Sequence, residues 1–353
     1  MLWLHHGARC ASKTGRLMMK FTKSLLKTSA AVALVASAQA AMAGGHGEIT
    51  VGYFVEGPMP FEYAKQMGTY DEEMGVKVNW VSFDTGTAMS AAMASGDVQI
   101  SVSQGVPPFV VAASAGQDLQ ILDVAVSYSD NDNCVVSSGL EIDKDSAGEL
   151  AGKKVAVPLG TAAHYGFLKQ MSHFGVDVGS LEVVDMAPAE GAAALAQGSV
   201  DMSCGWGGAL RRMKEHGNVL LTGAEKEELG ILVFDVTSAP ANFVAENSDL
   251  VSAFLKVTAD ANAMWNKGGD SAAAMVPAIA KDSGMSEEDT VATMSTFVFP
   301  SVEDQLSEKW LGGGAQGFMK GVADVFVNAG SIDSALDSYA GNVNTGPLAA
   351  AGN

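Results

Sequence analysis

The chain has 353 residues, 48% of them hydrophobic and 17% charged, with 21 Lys and Arg against 40 Asp and Glu for a formal net charge of −19. That length is enough to bury one large core or two medium ones, and the apolar share excludes a disordered chain. The acidic excess argues against nucleic acid or an anionic membrane surface as partner.

The first segment reads as a secretion signal. Lys20, Lys23 and Lys27 form a basic region, Thr28 to Ala41 is a short apolar run of small residues, and Ala41-Met42-Ala43 is an A-x-A cleavage site before Gly44. The apolar run is shorter than the roughly 20 residues a membrane span needs. No Cys follows the cleavage site directly, which argues against a lipid anchor. Residues 1–43 are thus read as a signal peptide cleaved after Ala43, with a periplasmic mature chain. Residues 1–17, ahead of Met18 and Met19, read as an over-extended start. The presequence holds six of the 21 basic residues and none of the acidic ones, so its removal takes the net charge to −25. Any anion site must then draw positive potential from few side chains or from backbone dipoles. Cys134 and Cys204 remain after cleavage; a disulfide and two buried free thiols both fit the oxidising compartment and the apolar strand patterns around them. Neither has CxxC or metal-ligand spacing, and no metal or cofactor is expected.

Strands and helices alternate along the mature chain. Ile49 to Tyr53 reads as a strand, Glu56 to Pro60 as a rigid loop, and Phe61 to Met74 as a helix ended by Gly75. A strand at Val76 to Phe83, a helix at Thr85 to Ser95, a strand at Val98 to Ser103 and a helix at Gly105 to Ala115 follow, then a strand at Leu119 to Tyr128. Ser129 to Asn133 is a polar break, and a new strand starts at Cys134. Strands at Leu181 to Met186, Val200 to Gly205, Val219 to Thr222 and Leu232 to Thr237 enclose helices near Pro188–Gln197 and Gly208–His216. Beyond Glu246 the pattern turns helical, at Ser248–Trp265, Asp270–Ala280, Ser286–Thr296, Val302–Trp310 and Gly314–Val327. Such alternation implies an α/β fold with mostly parallel sheet and a helical C-terminal tail.

Two features point to a site. Val155 to Leu159 is a short buried strand, Gly160 a turn and Thr161 an N-cap, followed by helical spacing at Tyr165, Leu168, Met171 and Phe174. Free N–H groups at that helix start suit an anion. The second feature is an internal echo. Asp84 to Ser101 and Asp185 to Ser203 each read as strand end, Ala-rich helix, Gly, strand, with Gly96 and Gly198 in register 102 residues apart. That period is too long for a solenoid and suits two lobes of one α/β plan.

The chain resembles the substrate-binding proteins of taurine, aliphatic-sulfonate and nitrate ABC importers, nearest to the taurine branch. The resemblance is carried by Ser95-Gly-Asp-Val-Gln-Ile100, Gly152-Lys-Lys-Val-Ala-Val-Pro158, Thr161-Ala-Ala-His-Tyr165 and Phe234-Asp-Val236, and in the tail by Phe299-Pro300, Gln305-Leu-Ser and Trp310-Leu-Gly-Gly313. It covers Ile49 to Val343. It implies a periplasmic binding protein fold of type II, two α/β lobes with a hinge and an interlobe cleft, crossing near Tyr128–Cys134 and Leu232–Thr237. Residues 44–130 would open the first lobe, 131–234 form the second, and 235–353 complete the first with the tail.

The implied function is binding, not catalysis. A monomer would carry taurine, or a related small sulfonate, to a membrane permease with its ATPase. Sulfonate donors are expected from Gly160, Thr161, Ala162, His164 and Tyr165 of one lobe and from Gln104, Gly105 and Val106 at the turn taken as its counterpart in the other. Members of the taurine branch often read Trp-Asp-Pro where this chain reads Trp206-Gly207-Gly208, so the ammonium needs another partner. Glu56 in the loop Tyr53-Phe54-Val55-Glu56, Asp235 and the face of Trp206 are the candidates. An aromatic cage of Tyr53, Phe54, Phe61 and Trp206 would instead suit a betaine-like zwitterion. A Cys-dependent desulfinase-like enzyme, using Cys134 or Cys204 with His164, is the remaining alternative; no Cys lies in the basic helix-start setting that activates a thiolate.

Overall fold

A computed structural model describes residues 47–54, 57–128 and 130–352. The signal peptide, its cleavage point and Glu56 lie outside the described residues.

The chain runs β1 (Glu48–Tyr53), α1 (Pro60–Met67), α2 (Thr69–Met74), β2 (Lys77–Ser82), α3 (Gly86–Ser95), β3 (Ile100–Gly105), α4 (Val106–Ser114) and β4 (Leu119–Ser127). It then crosses to β5 (Asp132–Ser137), β6 (Lys154–Val157), α5 (Ala162–Phe174), β7 (Glu182–Asp185), α6 (Pro188–Ala196), β8 (Met202–Trp206), α7 (Gly207–Lys214), β9 (Gly217–Val219) and α8 (Gly223–Glu228). It returns as β10 (Phe234–Pro240) and ends in helices α9 (Ala241–Glu246), α10 (Ser248–Asn266), α11 (Gly269–Ala273), α12 (Val276–Ser283), α13 (Glu287–Met294), α14 (Val302–Gln305), α15 (Gly314–Asn328) and α16 (Gly346–Ala351).

Among the described residues these strands make two five-stranded sheets of one pattern, β2-β1-β3-β10-β4 and β7-β6-β8-β5-β9. In each, the first three strands are parallel and the fourth runs antiparallel to the third. Two α/β lobes of the same plan result, as the echo implied. One expectation needs correcting. The Gln104 turn is not the counterpart of the Gly160 turn. Right-handed crossovers fix the order of the parallel strands, which places β6 where β1 stands and β8 where β3 stands. The Gly160 turn therefore corresponds to the β1–α1 turn, and the Gln104 turn to Trp206–Gly207.

Local chemistry sets the other departures. The helix expected over Phe61–Met74 breaks at Gly68, whose φ of 75° ends α1 and starts α2. The strand expected from Cys134 begins two residues earlier, because Asp132 pairs with Trp206 across the ladder. That shift moves Asp132 from a polar break into a sheet. Asp270–Ala280 splits into α11 and α12, with Pro277 in the first turn of α12.

The tail completes the first lobe. Gln305 is buried and its Oε1 accepts the Val124 amide at 2.8 Å, while α10 packs on α1, α2 and α16. Helix α15 lies against both α4 and α5, so it touches elements of both sheets. One continuous core runs from Ile49, Phe109 and Phe254 through Phe326 to Phe167 and Met171, and a smaller one joins Val135, Leu195, Leu210 and Met213. Each such aliphatic or aromatic side chain contributes about 1.5–3 kcal/mol by leaving water. Cys134 and Cys204 face each other across β5 and β8 and form a disulfide.

Candidate functional site

Parallel strands end, and their antiparallel neighbours begin, on one face of each sheet. Ligands of open α/β sheets sit at such carboxyl ends. Here the ends of β1, β3 and β8 and the starts of β5 and β10 surround a pocket of about 270 Å³. Its lining is Phe54, Gly86, Gly105, Pro108 and Tyr128, with Asp132, Thr161, Ala162, Trp206 and Asp235. Phe54 and Trp206 meet edge to face with ring centroids 5.9 Å apart, and both also line an outer cavity of about 630 Å³. They form the wall between the two spaces.

One half of the pocket suits an anion. Thr161 caps α5: its Oγ1 accepts the His164 amide at 3.4 Å and donates to the Pro158 carbonyl at 2.6 Å. Ala162 and Ala163 occupy the first two helical positions, whose amides have no partner inside the helix. Across the cleft, Thr85 caps α3 and accepts the Ala88 amide at 3.2 Å, which presents Gly86 to the pocket. A Cβ on Gly86 would lie 2.5 Å from Pro108 Cγ, so only glycine lets α3 and α4 start this close. The lobes touch here: a Cβ on Gly160 would stand 3.2 Å from Thr87 Cγ2. Helix α4 contributes shape more than donors, because Pro107 and Pro108 carry no N–H. At α7 the Gly207 amide is spent on the Asn131 carbonyl at 3.1 Å.

The other half suits a cation. Asp235, second in β10, pairs with Gly105 at the end of β3, and Asp132, first in β5, pairs with Trp206 at the end of β8, so the two aspartates hold corresponding places in the two lobes. Asp235 is well partnered. Ser103 donates to Oδ2 at 2.8 Å, and Tyr128 donates to Oδ1 and Oδ2 at 3.0 and 3.1 Å. Ser103 has φ 61°, uncommon for a residue with a Cβ, and β10 slips register beside it. Bulges near a site often re-aim a side chain. Burial pushes the Asp235 carboxyl up to about 7, the Ser103 and Tyr128 bonds pulling the other way and the Asp132 charge adding to the rise. Burial likewise pushes Asp132 up to about 6, against the pull of the Lys226 ammonium. The Asp132 Oδ2 atom is buried and has no hydrogen-bond partner. The Lys226 ammonium donates to the Asp132 backbone carbonyl instead.

Six of the expected site residues therefore meet at this pocket: Phe54, Gly105, Thr161, Ala162, Trp206 and Asp235. Gly160 lies at the lobe contact. The others turn elsewhere. Tyr53 packs edge-on to Phe61 and Trp80, with the Lys65 ammonium 3.9 Å from its ring centroid. Phe61 stacks on Trp80, so the four-membered aromatic cage does not assemble. Gln104 is fully buried and spent: Nε2 donates to Gly86 O and Ser90 Oγ at 2.9 and 2.6 Å, and Oε1 accepts from Ser238 at 2.8 Å. Val106 is core. His164 Nδ1 accepts the Gly160 amide at 3.1 Å and the ring stacks on Phe326 at 5.2 Å. Burial brings that imidazole down to about 4, so it is neutral at pH 7. Tyr165 sits edge-on to Phe318 and Phe326 of α15. Both side chains face the tail because they continue from a cap that aims only the first amides at the cleft. Asp132, Tyr128, Gly86 and Pro108 were missed. Asp132 stands where Asp235 stands in the other lobe, but that correspondence comes from strand pairing, which no local pattern in the sequence signals.

Comparison with known proteins agrees with this architecture. The chain is 28% identical over 267 residues to the taurine-binding periplasmic protein of Escherichia coli (strain K12), spanning 74% of this chain and 80% of that one. Its fold superposes on the periplasmic aliphatic sulphonate binding protein SsuA from Escherichia coli with a TM-score of 0.64 at 20% identity, over 82% of this chain and 90% of that one. The alkanesulfonate-binding protein SsuA from Xanthomonas axonopodis pv. citri, bound to MOPS, superposes with a TM-score of 0.65 at 20% identity, over 80% and 93% of the two chains. The family model described as NMT1/THI5 like matches residues 58–270, more than half of the chain, and the protein belongs to that family.

Proposed function

We propose that this protein is the periplasmic substrate-binding component of an ABC importer, a monomer that holds taurine or a related small sulfonate between its lobes and delivers it to a membrane permease with its ATPase. The observation that carries the reading is the two-sided pocket. The starts of α5 and α3 face it from opposite lobes, and two carboxyls face it from the crossover strands. A small molecule with a strong-acid group at one end and an ammonium at the other satisfies both halves. Hydrogen bonds to charged groups are worth about 1.5–3 kcal/mol each, so three or four of them offset desolvation and support roughly micromolar binding, about −8 kcal/mol. Donors from both lobes make the anion a bridge, and closure becomes a hinge motion about the β4–β5 and α8–β10 connections. The relation to the taurine-binding protein of Escherichia coli supports the ligand class and the compartment. The disulfide supports an oxidising compartment as well. It also favours binding over catalysis, since neither Cys134 nor Cys204 is a free thiolate. The signal peptide is cleaved after Ala43 in this reading, and N-terminal sequencing of the exported protein is expected to begin at Gly44.

A thermal-shift screen over taurine, hypotaurine, alkanesulfonates, betaines, nitrate and amino acids tests the assignment. A true ligand at 100 times its dissociation constant adds about 2.7 kcal/mol of stability. Taurine is expected to respond. Silence for every sulfonate with a response to betaines would overturn the reading.

A further inference from the structure

Resting on the proposed sulfonate-binding role, we infer that the helix starts lining the inner pocket are kept free of carboxylates, and that His164 is a positioning residue for the anion: it closes the cap of α5 with an uncharged imidazole where the chain elsewhere uses Glu or Asp.

The chain's own helices make the contrast. Among the described residues, α3, α5, α8, α13 and α14 are capped by a Thr or Ser side chain. The third helical position is where a capping box places its acid. That position is Glu225 in α8, Asp289 in α13 and Asp304 in α14. Glu225 accepts the Thr222 amide at 2.8 Å, and Asp289 and Asp304 accept the hydroxyls of Ser286 and Ser301 at 2.9 and 2.7 Å. An acid there also complements the positive end of the helix dipole. The two capped helices that reach the pocket depart from this pattern: the position is Ala88 in α3 and His164 in α5. Helices α4 and α7 also start at the pocket, through Gly105 and Trp206, and carry no acid in their first turns. The acids of the pocket, Asp132 and Asp235, stand on strands instead. A carboxylate at one of these helix starts would satisfy the end that a sulfonate must satisfy, and would repel it.

His164 keeps the box without the charge. Thr161 Oγ1 accepts the His164 amide at 3.4 Å, and His164 Nδ1 accepts the Gly160 amide at 3.1 Å, the reciprocal pair of a capping box moved one residue outward. A ring nitrogen that accepts an N–H carries no proton, so the imidazole making this bond is neutral. The residue is 6% exposed and its ring stacks on Phe326 of α15, a setting that disfavours the imidazolium. The box takes the Gly160 amide rather than that of Thr161, and Asp185 holds the Leu159 amide at 3.0 Å. The turn is thus fixed through residues ahead of the cap, and the amides of Ala162 and Ala163 stay outside the box. Gly160 is also where the two caps meet, a Cβ there standing 3.2 Å from Thr87 Cγ2 of α3.

Isosteric pairs of variants in the mature protein provide the test: Ala88→Glu against Ala88→Gln, and His164→Glu against His164→Gln. Each is titrated with taurine by calorimetry, with urea melts beside it. Glu and Gln have the same shape, so a role in folding moves both members of a pair and a role at the anion separates them. Each Gln variant is expected to bind taurine within about threefold of the unmodified protein, and each Glu variant at least about tenfold more weakly than its Gln partner. Ala88 is exposed, and Glu there completes an ordinary capping box with Thr85, so this pair decides the question even where His164→Glu fails to fold. Stability of Ala88→Glu is expected to equal or exceed that of Ala88→Gln. Equal affinities for Ala88→Glu and Ala88→Gln would overturn the exclusion of acids. A loss of about tenfold or more in a folded His164→Gln would overturn the role of His164. If the unmodified protein binds no sulfonate, the sulfonate role fails by itself, and the Glu-to-Gln difference measured with whichever anion of the thermal-shift screen does bind decides this inference separately.

Discussion

In the second lobe the ladder behind Asp132 runs unbroken. Asp132 opposes Trp206, Asn133 opposes Gly205, and Cys134 opposes Cys204, where the disulfide closes the third rung. In the first lobe Asp235 opposes Gly105 and Val236 opposes Gln104, but the ladder slips before Ser238 reaches Ser101. The third place there belongs to Ser103, whose φ of 61° turns its hydroxyl back onto Asp235. The difference teaches why two aspartates in corresponding places behave unlike each other. A cross-linked, regular ladder has no spare residue to bend toward Asp132, so its Oδ2 stays open. A bulged ladder has one, so Asp235 is held by Ser103 and Tyr128 before any ligand arrives. The second lobe leaves a buried acceptor open, and the first holds one already oriented.

The largest expected effect comes from breaking the regular ladder. The disulfide spans 70 residues. In the chain-entropy account such a loop contributes about 4 kcal/mol through the unfolded state. Cys134→Ser with Cys204→Ser is expected to lower stability in urea by about that much. Gln104→Ala is the matching change in the first lobe, removing bonds to Gly86, Ser90 and Ser238. It is expected to cost less, about 1–3 kcal/mol, as a buried hydrogen-bond loss. Calorimetry on both variants should also show ordinary taurine selectivity for Gln104→Ala, since that side chain lies behind the pocket wall. A change in the taurine-to-ethanesulfonate ratio there would return Gln104 to the site.

Acidity separates the lobes next. Burial raises Asp132 from 3.8 to about 6, and Asp235 shifts in the same direction. The folded, unliganded protein therefore keeps protons between pH 4 and 6 that the unfolded chain has released. Native binding of more protons means the aspartates' contribution to stability falls as pH rises through that window. For Asp132 the loss is on the order of 3 kcal/mol. Asp132→Asn is expected to flatten the fall by about that amount in unliganded melts. Taurine affinity runs the other way: its ammonium favours ionised carboxylates, so binding tightens from pH 5 to 8 with release of protons. His164, held near 4 by burial, is neutral in the folded protein over pH 5 to 8 and adds nothing to the affinity change, but between about pH 4 and 6.5 the unfolded chain protonates it more readily, so its contribution to stability rises with pH and opposes that of the aspartates. Glu225, exposed and lowered to about 2 by the Thr222 backbone bond first, acts only as pH falls below its ordinary value. A taurine affinity independent of pH over 5 to 8 would break the assignment of both aspartates.

The α/β plan, the two lobes and the helical tail were legible because period-two and period-3.6 patterns survive in short windows. The cap that opens α5 was legible too, since Gly160-Thr161 is a cap signal with a local cause. Partner choice across the cleft was not. Gln104 and His164 sit at strand-to-helix turns that point correctly along the chain, yet which way a side chain leaves the turn depends on what packs behind it. Gln104 meets Ser90 and Ser238, and His164 meets Phe326 of a helix some 160 residues later. Asp132 was hidden in a run of polar residues that reads as a loop. Only its pairing with Trp206 turns that run into a strand, and pairing is a long-range fact.

A smaller effect tests the bulge itself. Ser103→Gly relaxes a positive φ that a Cβ makes costly and removes the hydroxyl bonded to Asp235. The two changes oppose, the relief being about 1 kcal/mol and the lost charge-assisted bond about 1.5–3 kcal/mol. A net loss of about 1 kcal/mol is expected in urea melts. Ser103→Ala keeps the strain and loses the bond, so it is expected to cost more than Ser103→Gly. Because the Ser103 bond lowers the Asp235 pKa, both variants are expected to move the pH midpoint of taurine binding upward. A midpoint unmoved in both variants would show that Asp235 takes no part in holding the ligand, and that the Ser103 bond serves the bulge alone.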